Sequence, residues 1–143
     1  MKTSPKMQEV AMALAVKHGL DLTTPGAWLR LDMEGYDRLV IEVIHPNLVS
    51  VAHVYAPRPD VRLADPGIIF FAGYALWVPV EISQRVGGYR IYAFLSEELD
   101  EIISILPQEQ ADLAAFAEVW AENIVAQGWL EEATRYVEPE MPF

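Results

Sequence analysis

The sequence predicts an α+β domain: a mainly antiparallel sheet of about six strands in a meander, with an N-terminal helix and a long C-terminal helix packed on it. Three observations lead there. Val, Ile, Tyr, Phe and Trp crowd residues 39–95, and such side chains suit a pleated, half-buried surface. Turn signals break that run: His45-Pro46-Asn47, Pro57-Arg58-Pro59-Asp60, Asp65-Pro66-Gly67 and Val86-Gly87-Gly88. On either side of it, apolar residues recur at helical spacing.

The first helix starts at Ser4-Pro5, with Ser as N-cap and Pro at the first helical position, and Gly19 stops it. Met7, Val10, Ala11 and Leu14 form its stripe, and His18 is placed in its last turn to cap the helix. AWLRLDM (27–33) alternates, turns at Glu34-Gly35 and returns as YDRLVIEVIH (36–45). LVSVAHVYA (48–56) is apolar on both faces, which predicts a central strand. PRPDVRLADPG (57–67) reads as the longest irregular segment. Strands four and five follow in GIIFFAG and YALWVPVEISQ, where Pro79 calls for an edge or a bulge. Leu76, Val78, Val80 and Ile82 are assigned to one face there, and YRIYAFL is the sixth strand. EELDEIISIL (97–106) is expected to be a short acidic helix N-capped by Ser96. The main helix spans about 107–127 and ends at Gly128, with Leu113, Phe116, Ala117, Trp120, Ala121 and Ile124 facing the core. Residues 1–143 read as one domain with an irregular tail over about 138–143.

Net charge is −11, and its distribution is uneven. Residues 1–90 hold nine acids and nine bases, whereas 91–143 hold twelve acids against Arg135 alone. That field opposes direct nucleic-acid or anionic-membrane binding and suits a basic protein surface. The expected contact residues are Glu97, Glu98, Asp100, Glu101, Glu109, Asp112, Glu118 and Glu122, with Glu118 and Glu122 facing solvent. Ala115, Val119 and Val125 make the outer face of the last helix less polar than a bare surface needs, which fits a partner or a homodimer contact. Without cysteine there is no disulfide and no thiolate chemistry, and a cytoplasmic protein is the simplest expectation. No apolar run reaches the ~20 residues of a membrane-spanning helix.

Catalysis has one candidate pocket, built from His53, Tyr55, Asp65 and Glu81 on a sheet face; His and carboxylates titrate in the useful range. The competing reading is a buried His and Tyr hydrogen-bonded across the sheet, and it is preferred. His45 and His53 lack the close pairing of zinc sites, no serine stands in a GxSxG setting, and no motif calls for a cofactor.

Ser50-Val51-Ala52-His53-Val54-Tyr55, Asp65-Pro66, Trp77-Val78-Pro79, Gly88-Tyr89 and Gln127-Gly128-Trp129 occur in an order that resembles an uncharacterised bacterial domain family of small proteins common on plasmids and conjugative elements. The resemblance spans about residues 48–130, and EELDEIISILP and the first hairpin depart from it. It brings no catalytic residues. What it implies is context: accessory proteins of mobile elements handle DNA transfer or blunt host defences. The combined expectation is a binding protein whose acidic last third meets a basic, nucleic-acid-handling partner, for instance a CRISPR or restriction complex. A small hydrolase-like enzyme is the alternative.

Overall fold

In a computed structural model, residues 1–136 are described. Helix α1 (Pro5–His18) precedes a meander of β1 (Trp28–Asp32), β2 (Arg38–His45), β3 (Leu48–Arg58), β4 (Val61–Phe71), β5 (Val78–Gln84) and β6 (Gly88–Ile91). A small hairpin follows, β7 (Ala93–Leu95) with β8 (Ile102–Ile105). Helix α2 (Pro107–Gln127), a single turn α3 (Trp129–Glu132) and β9 (Thr134–Arg135) complete the described chain. The sheet is antiparallel with strand order β6-β5-β4-β3-β2-β1-β9. The chain is therefore an α+β domain with a helix at each end, and β3 is the central strand.

Successive side chains on a strand point to opposite faces, and neighbouring residues here divide between two cores. Val49, Phe70 and Trp77 join Leu29, Leu31, Leu39 and Ile41 beneath α1 and α2. Leu48, Phe71 and Val78 sit with Val80 and Ala93 beneath the β7–β8 hairpin. The register slips between Ile69 and Phe70 on β4, so Val80 is an extra residue opposite that step. This bulge, beside Pro79, puts Ile82 on the helix face although Val78 and Val80 lie on the other. Leu76 is exposed.

Two segments differ from expectation. Residues 57–67 are not an irregular loop but the tip of the β3–β4 hairpin, with Tyr55 opposite Leu63 and Arg58 opposite Val61. The Pro, Arg and Asp residues that looked like loop chemistry lie on an exposed hairpin end. Residues 97–106 are not a helix. Ser96 Oγ accepts the N–H groups of Asp100 and Glu101 and donates to Asp100 Oδ1, closing a turn, and Leu99 takes a φ of 57° that no α-helix contains. Ile102–Ile105 then pairs with β7, and Ile102 and Ile105 pack on the second core. The expected sixth strand accordingly splits into β6 and β7.

Helix α2 has its expected bounds, with Pro107 in the first turn and Gly128 at φ 92° closing it. Its buried stripe is Gln110, Leu113, Ala114, Ala117, Trp120, Ala121 and Ile124, whereas Phe116 lies outside it. Ser4 makes no side-chain cap to α1; it is buried and donates its backbone N–H to Trp77 O. The Glu118 carboxylate takes over, accepting the Lys6 N–H at 3.0 and 3.2 Å. At the other end of α1, burial, then the nearby Lys17 and Arg135 charges, push the His18 pKa down, and Arg135 donates to the His18 carbonyl. The cation that caps α1 is Arg135 rather than His18. The expected irregular tail at 138–143 lies outside the described residues.

Candidate functional site

Where α2 crosses the sheet, its flank and the strands below leave a cleft of about 640 Å³. The β1–β2 turn contributes Gly35, Tyr36 and Asp37, and β3 and β4 contribute His53, Asp65 and Pro66. Helix α2 supplies Phe116, Val119, Trp120, Asn123 and Gln127. A register break lets the floor carry these groups. Pairing jumps from Ala52–Gly67 to Val54–Ala64, so Asp65 and Pro66 stand opposite His53 alone. Gly67 is needed for that approach, because a Cβ there would lie 2.8 Å from the Ala64 Cβ and 3.4 Å from the Ala52 Cβ.

His53 sits in an aromatic nest. Its ring centre is 5.6 Å from Trp120 and 5.5 Å from Trp129, and Tyr36 packs on Trp129 at 5.8 Å. His53 Nδ1 lies 3.1 Å from the Asp37 carbonyl, which only accepts, so Nδ1 carries the proton and Nε2 is the basic nitrogen. Desolvation pushes the His53 pKa down, against a smaller upward pull from Asp37. The imidazole is neutral near pH 7.

Asp65 accepts the Arg85 backbone N–H at 3.1 Å, and Arg85 Nε lies 3.9 Å from its second oxygen. The same Nε donates to the Tyr55 hydroxyl at 3.2 Å, with the guanidinium 4.2 Å over the Tyr55 ring. Asp37 differs, for its carboxylate accepts no hydrogen bond among the described residues.

The expected catalytic quartet is thus divided. His53 and Asp65 share the cleft, and Tyr55 joins Asp65 through Arg85 just outside it. Glu81 lies on the other face, paired with Ile69, where it accepts the Tyr89 hydroxyl and, after burial, helps hold the Tyr89 pKa at about 12. No group of three or more His, Asp or Glu among the described residues is arranged to hold a metal, and no described helix is long and apolar enough to cross a membrane.

The eight acids expected to form one surface occupy three places. Glu97, Glu98, Asp100 and Glu101 belong to the β7–β8 turn, on the sheet face away from the helices. Glu109 and Asp112 flank α2 towards Tyr92 and β5. Glu118 and Glu122 lie on the α1 side of α2, where Glu118 is half-buried and engaged with α1 rather than solvent-facing. Sequence reasoning did not single out Tyr36, Asp37 or Asn123 as site residues, and Gln127 entered only through the family resemblance. The one available signal was Val119, which with Ala115 and Val125 falls off the stripe that 100° spacing seats on the core; Phe116 was expected on that stripe and instead lines the cleft.

Fold and site together define a small antiparallel-sheet domain with an aromatic, acid-lined cleft beneath its last helix. Residues 9–130 match the family described as Domain of unknown function (DUF6908), and the chain belongs to that family. No curated protein and no solved structure matches it.

Proposed function

We propose that this is a non-catalytic binding protein that receives a basic segment of a partner protein in the cleft beneath α2. One observation carries the reading: the cleft combines the rings of Tyr36, Phe116 and Trp120 with the carboxylates of Asp37 and Asp65, and neither lysine nor arginine lines it. Aromatic faces beside carboxylates attract a guanidinium or ammonium group through cation–π and charge-assisted contacts. On the α2 side of the cleft, Phe116 and Val119 are exposed between Asp112 and Glu122, which gives the partner's apolar residues a landing strip. The net charge of −11 adds long-range attraction.

Binding is favoured over catalysis because His53 is oriented by a backbone carbonyl and stacked rings, with no carboxylate or hydroxyl in hydrogen-bond contact among the described residues. Arginine-rich surfaces of nucleic-acid-handling complexes, the kind a mobile-element protein meets in host defence, have the required chemistry. The test is a titration of a short arginine-rich peptide into the protein, followed by tryptophan fluorescence at two salt concentrations. Saturable, salt-weakened binding is expected, reduced at least tenfold by Asp37→Asn with Phe116→Ser and unchanged by Glu97→Gln with Glu98→Gln. Equal losses from both pairs, or no saturation, would overturn the cleft as the site.

A further inference from the structure

A second, smaller hollow of about 200 Å³ lies nearer the N-terminus of α2. Ile82 and Tyr92 line it from the sheet side, and Glu109, Asp112, Leu113 and Phe116 from α2. Phe116 also lines the cleft, so the two cavities meet at its exposed ring. They follow one flank of the helix, because Glu109, Asp112, Phe116, Trp120, Asn123 and Gln127 recur at steps of three and four. Cleft and hollow thus make one trough along α2.

Both ends of that trough are acidic. Asp37 and Asp65 stand at the wide end, Glu109 and Asp112 at the narrow one, and among the described residues no lysine or arginine lines either. Two arginines beside the trough are engaged elsewhere: Arg90, opposite Ile82 on β6, donates to the Tyr89 carbonyl at 3.0 Å, and Arg85 holds Asp65 from outside the cleft. One Asp112 oxygen accepts Gln108 Nε2 at 2.9 Å, which leaves the other, and Glu109 accepts no hydrogen bond among the described residues. Between the acidic ends the wall is apolar, from Phe116, Leu113 and Tyr92.

Helix α2 rises about 1.5 Å per residue, which sets Asp112 about 12 Å from Trp120 along its axis. Extended chain covers that distance in roughly four residues at about 3.3 Å each, and its residues i, i+2 and i+4 face one way. We propose that the trough takes an extended segment of a partner protein with two basic residues four apart and an apolar residue midway. The first base lies against Asp37, the apolar side chain on Phe116, and the second base between Glu109 and Asp112. This rests on the cleft's binding of a basic segment and adds to it a second charge site and a spacing. A peptide suits the trough better than a bare polyamine, because the Trp120 indole N–H is buried in the cleft wall with no acceptor among the described residues. A small tilt of the ring hands that N–H to a main-chain carbonyl of the segment.

Calorimetry on the full chain with three peptides of equal length tests this. One carries two arginines four apart around a leucine, one the same residues with the arginines adjacent, and one a single arginine with glutamine for the second. The spaced peptide should bind about fivefold tighter than the adjacent one, the scale of one partly exposed charge pair. Glu109→Gln with Asp112→Asn should abolish that advantage and leave the single-arginine peptide unchanged, which also shows that the variant is folded. Glu97→Gln with Glu98→Gln removes the same charge elsewhere and should keep the advantage. Equal affinity for the spaced and adjacent peptides, or an advantage that both pairs of substitutions keep or both lose, would overturn the second charge site while the cleft reading stands. Spermidine binding as tightly as the spaced peptide would overturn it too, since cations alone would then suffice. Binding of none of the three peptides would remove the cleft reading and this proposal together.

Discussion

Replacing Glu118 by Ala asks whether that acid belongs to a surface or to the fold. In sequence it stands one turn before Glu122 and looks equally solvent-exposed, so removing either should cost nothing. The structure separates them. Glu118 reaches across to α1 and accepts the Lys6 N–H with both oxygens, at the end of a helix whose own Ser4 cap is not made. Losing an N-cap acceptor costs about 1 kcal/mol, within a range of roughly 0.5–2. The carboxylate's attraction to the helix N-terminus adds about 0.3–1 kcal/mol at a partly exposed position. Glu118→Ala should therefore destabilise by about 1–2 kcal/mol, or roughly 3–6 °C in Tm for a domain of this size. Glu118→Gln keeps an acceptor and loses the charge, so about half the loss should remain, and its deficit against the parent protein should shrink in high salt. Glu122→Ala is the control and should stay within about 0.5 kcal/mol of the parent. Urea unfolding of the three variants at low and high salt is the assay. If Glu118→Ala matches Glu122→Ala, the cross-helix cap contributes nothing and Glu118 returns to the exposed acids.

Two further outcomes follow from the cleft. Trp120→Ala should cost about 3–5 kcal/mol in urea unfolding, because the ring is only 6% exposed between α2 and the sheet; a loss below about 1 kcal/mol would contradict its burial. The fold favours neutral His53 by desolvation, so the unfolded chain binds more protons as pH falls below about 6.5, and stability declines through that window. His53→Gln should lose less stability between pH 7 and 5 than the parent does, with a residual slope from His18, whose pKa is also lowered; identical slopes would show that His53 is not desolvated.

Where local chemistry and tertiary structure agree, the sequence is easy to read. Pro107 and Gly128 bracket α2 because proline suits a first turn and glycine an αL cap, and neither needs a neighbour. Leu29, Leu31, Leu39 and Ile41 alternate because one sheet face is buried. The misreadings occur where long-range pairing wins. Leu99, Ile102, Ile103 and Leu106 have helical spacing, yet pairing with β7 and the apolar floor beneath it favour a strand, at the cost of a positive φ for Leu99. Arg58 and Val61 pair on a hairpin that outruns the core, so its outer residues carry no alternation to detect. The cleft was legible only through His53 and Asp65. Asp37 comes from a turn and Asn123 from the flank of a helix, and only the crossing of α2 over β3 and β4 brings them together.

The Lys6–Glu118 contact joins residues 112 positions apart, and Lys2 bonds through both its N–H and its carbonyl to the buried Gln110. On the ribosome, α1 is therefore made before the sheet and meets α2 only after it. Met7, Val10 and Leu14 must wait while the whole meander leaves the exit tunnel, because the helix that shelters them with the sheet is translated after it. Until then the sheet offers water one uncovered apolar face. Docking of α2 on the sheet then completes the shelter that α1 needs, so the two helices cover that face together.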